Sequence, residues 1–222
     1  MITTGGSREP SLRLPIMYRP AAFDMTDDSE IRAFIDAAGP AHLVTLNGGE
    51  LTSNVVPLLL DRESNSLVGH LARANPQWQD VAAGVEALAI FSGPDGYISP
   101  SFYPTKQETG KVVPTWNYEV VHASGEFVVH DDVEWVTALV TRLTERHESK
   151  RAEPWSVDDT PEGFIAAMAK AIVGIEIRNL RLVGKRKLSQ NRSVLDIEGT
   201  IAGLEQGGVS ERELAKAMRA NR

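Results

Sequence analysis

The feature that most constrains this chain is the tripeptide Asn47-Gly48-Gly49, set between two apolar runs over residues 41–46 and 51–60. Asn-Gly readily takes the positive φ angles of a tight hairpin turn, and the flanking runs are rich in Leu, Val and Thr. Two antiparallel strands are expected here. A polar turn, DRESNS, leads to a third strand over 67–72, and residues 85–91, 119–129 and 172–183 read as three more. Helices fall between them. Asp27 or Asp28 caps one that carries Ile31, Phe34, Ile35 and Ala38 and stops at Gly39-Pro40. Asn75-Pro76 opens a short one with Trp78 and Val81, Asp131-Asp132 caps one reaching about His147, and Pro161 starts one ending near Ala171. Residues 194–204 and 209–220 are the last two. Strands joined by hairpins and interrupted by helices predict a single α+β domain on an antiparallel barrel.

Composition narrows the chemistry. With 222 residues the chain can bury a core without staples, and with no cysteine it has no disulfide, thiolate metal site, Fe–S cluster or cysteine nucleophile. A net charge of -7 gives no global attraction to polyphosphate, so nucleic-acid binding requires a local patch. No apolar run approaches the roughly 20 residues of a membrane span. Residues 1–16 are polar and lack a signal-peptide core, so they read as a loose arm, and a cytoplasmic location is expected. The expected organisation is an arm over 1–16, a barrel domain over 17–208 and a C-terminal helix over 209–222. The five histidines show no HExxH-like spacing, and neither a GxSxG nor a P-loop occurs. Gly5-Gly6 lies in the arm and supports no dinucleotide fold. No metal site and no catalytic pair are found.

Three segments can carry chemistry. In Gly69-His70-Leu71-Ala72-Arg73-Ala74-Asn75-Pro76-Gln77-Trp78 a strand ends, a guanidinium follows and a helix begins. That suits a phosphate, and it equally suits an ordinary turn with a solvated arginine. Gly184-Lys185-Arg186-Lys187-Leu188-Ser189-Gln190-Asn191-Arg192 puts four cations within eight residues of an acidic chain, either as an anion site or as a solvated edge strand. The aromatic, proline-rich stretch 92–125 holds Tyr97, Phe102, Tyr103, Trp116 and Tyr118, with little periodicity before Val112. It fits a flat ligand, a subunit interface or loop packing.

Taken in order, MYRPAAF, GHLARANPQW, AIFSGPDGYISPSFY, VVPTWNYEVVHASG, LTERHE, PW, IVGIEI and the GK-K-LSQNRS pattern resemble PaiB-like proteins, FMN-binding negative transcriptional regulators. The resemblance covers roughly residues 17–204, and Arg186 stands where the family usually has an aromatic. It implies an FMN-binding split barrel with flanking helices, like relatives of pyridoxamine-phosphate oxidase. It also implies a homodimer with flavins at the seam and part of Trp116–Tyr118 in the interface. Arg73 and Asn75 are then expected near the FMN phosphate, with His70 and Ala72 along the ring edge. Ser53 and Asn54 lie on the strand that follows the isoalloxazine. Trp116 and Asn117 come from the second subunit, and Lys185, Lys187 and Gln190 complete the anion site. Two alternatives stay open: a flavin-dependent oxidoreductase on a small molecule, and a haem-binding split barrel. DNA binding follows only from the family resemblance. Ser210–Lys216 resembles the first helix of a helix-turn-helix without its recognition helix, and an amphipathic end helix fits it as well.

Overall fold

The computed structural model describes residues 17–47, 49–79 and 84–222. Three expectations lie outside the described residues: the arm over 1–16, Gly48 of the hairpin turn, and Val81 of the short helix. In chain order the elements are β1 (Asp24–Met25), α1 (Asp28–Ala37), β2 (Ala41–Asn47), β3 (Glu50–Val56), β4 (Leu58–Asp61), β5 (Ser66–Ala72), β6 (Glu86–Ile98), α2 (Lys106–Thr109), β7 (Thr115–His130), α3 (Val133–Glu148), α4 (Phe164–Ala169), β8 (Ile172–Lys187), α5 (Val194–Glu205) and α6 (Val209–Ala220). The strands form one eight-stranded antiparallel sheet in the order β3-β2-β6-β7-β8-β5-β4, with β1 on β8.

Local signals account for the ends of these elements. Asp27 caps α1 by accepting from Ser29 N at 2.8 Å, and Ile31 and Ile35 turn into the core. Asp132 caps α3 in the same way through Trp135 N at 2.7 Å. The hairpin forms as expected, with Asn47 opposite Glu50. The expected strand over 51–60 is instead two strands, because Pro57 has no N–H to donate to a ladder. The break is what lets the barrel close. β3 pairs with β2, and one residue later β4 pairs with β5 at the far edge of the sheet. Gly69 permits this crossing, since a side chain there would stand 2.7 Å from Pro57 O and from a Leu58 methyl.

The stretch 92–125 is more regular than its composition indicates. β6 runs through it to Ile98 and β7 starts at Thr115, and a register shift between Ser92 and Asp95 absorbs Pro94. β8 extends four residues past the expected Val183, held by pairing to β7 up to Tyr118–Lys187. Two cores result. The barrel core contains Leu43, Phe91, Val121, Ile175 and Ile177; a second joins Ile98, Tyr103 and Leu188 to Ile201, Leu204, Leu214 and Met218 of α5 and α6. The C-terminal helix therefore shares a core with the ends of β6 and β8. None of the helices is long and apolar enough to cross a membrane among the described residues.

Candidate functional site

The eleven residues expected to touch FMN fall into two groups. Ser53 and Asn54 lie on β3, and His70, Ala72, Arg73 and Asn75 lie at the end of β5 and in the turn after it. Asn75 caps the turn that follows by accepting from Gln77 N at 2.9 Å. Gln77, fully buried, then reaches back to the hairpin: it accepts from Asn54 Nδ2 at 2.8 Å and donates to Leu43 O at 3.0 Å and Thr45 Oγ1 at 3.1 Å. This glutamine ties Asn54 of the hairpin to the turn that Asn75 caps, and the sequence reading missed it. Its only signal was a polar residue inside an otherwise apolar short helix.

Arg73 is held by four acceptors. Nη1 and Nη2 meet the Asp131 carboxylate at 3.0 and 2.5 Å, Nε donates to Lys170 O at 2.7 Å, and Nη2 also donates to Ile172 O at 3.2 Å. These contacts raise the guanidinium's pKa and lower that of Asp131, through the hydrogen bonds first and the opposite charges after desolvation. His70 sits beside Gly174 of β8, and burial pulls its imidazole below the ordinary value of 6.5. Across the same strand Gly174 also faces His130, whose ring stacks on Trp135 with 3.9 Å between centroids. His130 Nε2 lies 2.8 Å from the buried Glu176 carboxylate. Burial pushes that carboxyl up, but hydrogen bonds from His130, Ser66 and Arg178 more than offset it and leave it below its ordinary value.

The second group comprises Trp116, Asn117, Lys185, Lys187 and Gln190. Strand alternation sorts them. Trp116 is 55% exposed and packs edge-on against its cross-strand partner Tyr97 at 6.1 Å, whereas Asn117 is fully buried. Asn117 donates to Ser189 Oγ at 2.9 Å and to Met218 Sδ of α6 at 3.5 Å, so its amide faces the helix and not an open surface. Lys185 and Lys187 share one face of β8. Lys185 Nζ lies 5.6 Å from the ring centroid of Tyr18 and 5.2 Å from that of Tyr118; Lys187 Nζ lies 5.9 Å from Tyr118. Lys187 also donates to Thr115 Oγ1 at 2.6 Å and to Trp116 O. Burial pulls the Lys187 amine below its ordinary value. Arg186 points the other way, to Glu119 at 2.5 Å and Glu30 at 3.3 Å. Gln190 accepts from Leu188 N at 2.7 Å and donates to Arg186 O at 2.5 Å, which shapes the turn after β8.

The two groups stand at opposite ends of β8. Ala72 is opposite Ile172, and Tyr118 is opposite Lys187. At about 3.3 Å per residue the strand between them runs roughly 50 Å in contour, with a bend where Asn179 takes a φ of 53°. An open cleft of about 530 Å³ between α1, the β6 irregularity and α6 is lined by Phe34, Asp95, Glu119, Val209 and Glu213. Its carboxylates repel a phosphate, and it contains none of the eleven residues. The two groups themselves fit the cofactor: backbone and amides at a strand edge for the ring, cations for the phosphate, and an exposed aromatic pair for a lid.

Comparison with known proteins identifies the family and the fold. Residues 17–179 match the family described as "Putative FMN-binding domain", and the chain belongs to that family. It is 31% identical over 205 residues to the protease synthase and sporulation protein PAI 2 of Bacillus subtilis, covering 91% of this chain and 96% of that one. It is also 35% identical over 180 residues to an uncharacterised protein of Aspergillus fumigatus, covering 67% and 69%. Among solved structures it resembles the FAD and haem binding protein of Mycobacterium smegmatis, with a TM-score of 0.55 and 16% identity over 83% of this chain and 80% of that one. A conserved hypothetical protein of Mycobacterium tuberculosis gives a TM-score of 0.56 at 11% identity, over 80% and 94%. The architecture is the split barrel that the motifs implied.

Proposed function

We propose that this member of the PaiB-like FMN-binding family works as a homodimer that binds FMN without a covalent bond at its seam, each flavin using one end of β8 from each subunit. The observation that carries this reading is the separation of the two residue groups. Neither alone offers both a phosphate partner beside strand amides and an aromatic lid, and the two lie at opposite ends of β8. In the assembled site Arg73 and Asn75 face the phosphate, and Ser53, Asn54, His70 and Ala72 follow the ring. The second subunit supplies Trp116, Lys185 and Lys187. Asn117 and Gln190 act by positioning, the first under Trp116 and the second in the turn after β8.

Bound FMN supplies reversible electron transfer. The chain's own part is electrostatic and steric. Lys185 and Lys187 bring positive charge that favours an anionic, reduced ring, and Trp116 with Tyr97 keeps water from it. The regulatory role in the family's description then runs through the flavin more readily than through α6. The cations of that helix are engaged within the protein: Lys216 pairs with Glu213 and Arg219 with Glu205, and Arg212 donates to Gly207 O. DNA contact has no comparable support.

Subunit complementation tests the shared site. Arg73→Ala and Trp116→Ala proteins, each weakened for FMN, are mixed and allowed to exchange subunits. A mixed dimer has one intact site, so about a quarter of all sites should regain full affinity by FMN fluorescence quenching. No recovery despite exchange, or a monomer that binds FMN at full affinity, overturns the reading.

A further inference from the structure

We infer that Lys185, Lys187 and Arg192, with the hydroxyl of Tyr103, form an oxyanion site for a planar small molecule that carries a phosphate or carboxylate and lies against the flavin from the Trp116 side. This rests on the flavin reading above. It assigns the cationic end of β8 to a second ligand, and not to the phosphate of FMN.

Charge balance is the first ground. The chain has 30 acidic and 23 basic residues, and Arg186, between the two lysines, is neutralised by Glu119 and Glu30. Lys185, Lys187 and Arg192 have no carboxylate within ion-pair distance among the described residues. Their partners are rings, a hydroxyl and a carbonyl. The two lysine amines each lie within 6 Å of the Tyr118 centroid. After burial, the charges of Lys185 and Arg192 act against the positive charge on Lys187. Three like charges held together without a counterion are stabilised by an anion.

The second ground is an unpaired donor. Tyr103 is 2% exposed, and no acceptor meets its O–H; the group directed at the hydroxyl is the Arg192 guanidinium, itself only a donor. Buried hydroxyls are almost always satisfied, and one that is not points to a missing acceptor. The Arg192 guanidinium stands 5.0 Å from the Tyr103 ring centroid, and the turn Ser189–Arg192, closed by Arg192 N donating to Ser189 O at 2.9 Å, follows closely on Lys187 at the end of β8, which brings the hydroxyl to the cation cluster. Burial raises the phenol's pKa, so it remains an O–H donor. The nearby Asp196 carboxylate accepts from Thr105 N and Oγ1 at 3.2 and 2.9 Å and makes no hydrogen bond to the Tyr103 hydroxyl.

The third ground is the shelf beside the cations. Lys187 bonds to the carbonyl of Trp116, whose indole is exposed next to Tyr97. A flat ring with an oxyanion at its edge fits both parts, stacking on the indole while its oxygens face the amines.

The test is titration of FMN-loaded protein with inorganic phosphate and with benzoate, read by tryptophan fluorescence and flavin absorbance. Saturable binding of at least one is expected below roughly 10 mM. Phosphate without benzoate assigns a phosphate ligand, and the reverse assigns a carboxylate. Arg192→Gln should weaken that anion about tenfold while moving FMN affinity less than about threefold. Tyr103→Phe should weaken the anion several-fold and yet raise the thermal midpoint, because an unpaired buried hydroxyl is gone. A stabilised Tyr103→Phe protein with unchanged anion affinity overturns the assignment of the hydroxyl. Absence of anion binding by the unaltered protein overturns the site. If Arg192→Gln weakens FMN as much as it weakens phosphate, and spares riboflavin, the cations hold the cofactor's own phosphate: the inference fails and the flavin reading stands. If FMN itself does not bind while anions still bind through Arg192, the flavin reading fails and the oxyanion site stands.

Discussion

Arg73 grips Asp131 through a two-point ion pair, with Nη2 2.5 Å from Oδ1 and Nη1 3.0 Å from Oδ2. The carboxylate occupies the fork that a phosphate would use. Asp131→Asn should therefore tighten FMN several-fold and leave riboflavin nearly unchanged, since only FMN carries the competing anion. Arg73→Ala should weaken FMN about tenfold more than riboflavin. Parallel fluorescence titrations of both ligands decide the matter, and equal shifts would mean that the pair only braces the turn.

Gln77 links β2, β3 and the turn after β5 from a fully buried position. Gln77→Ala should cost about 2–3 kcal/mol, because Asn54 Nδ2 and Leu43 O lose a buried partner. Urea unfolding measures it. A loss below about 0.5 kcal/mol would show that water takes the amide's place.

Gly174 lies under the indole of Trp135, where an added methyl would come within 2.2 and 2.6 Å of ring carbons. Gly174→Ala should destabilise the fold by about 1–3 kcal/mol and displace the His130–Trp135 stack. Near-UV circular dichroism reports the stack. Adding Trp135→Leu should recover part of the loss if the clash is its source.

His70 has its imidazole pKa lowered by burial, so the unfolded chain takes up the proton more readily than the folded one. Stability from this group is complete above about pH 6.5 and declines as pH falls through that value toward the lower folded one. The unfolding midpoint should drop more steeply on acidification in the unaltered protein than in His70→Gln. Parallel pH profiles would assign no linkage to this residue.

Much of the fold was legible because its signals are local. Asn47 and Glu50 flank the hairpin turn, Asp27 and Asp132 cap their helices, and the aromatic and cationic segments announce themselves by residue type. The lengths of β6, β7 and β8 were not legible. Pairing along β7 carries them through Pro94 and out to Lys187, and no single segment encodes its partner. The same holds at Pro57, where the sequence shows only a missing donor and the closed barrel turns it into a crossing between sheet edges.

By itself, then, the sequence determined an antiparallel α+β barrel and singled out the residue groups expected to meet a flavin. Tertiary structure alone decided their placement. It put Arg73 and Lys187 at opposite ends of one long strand, turned Asn117 beneath α6 while leaving Trp116 open, and joined Asn54 to Asn75 through Gln77. The physical reason is that side-chain alternation and register are set by which strands pair and where, and those contacts join residues far apart in the chain.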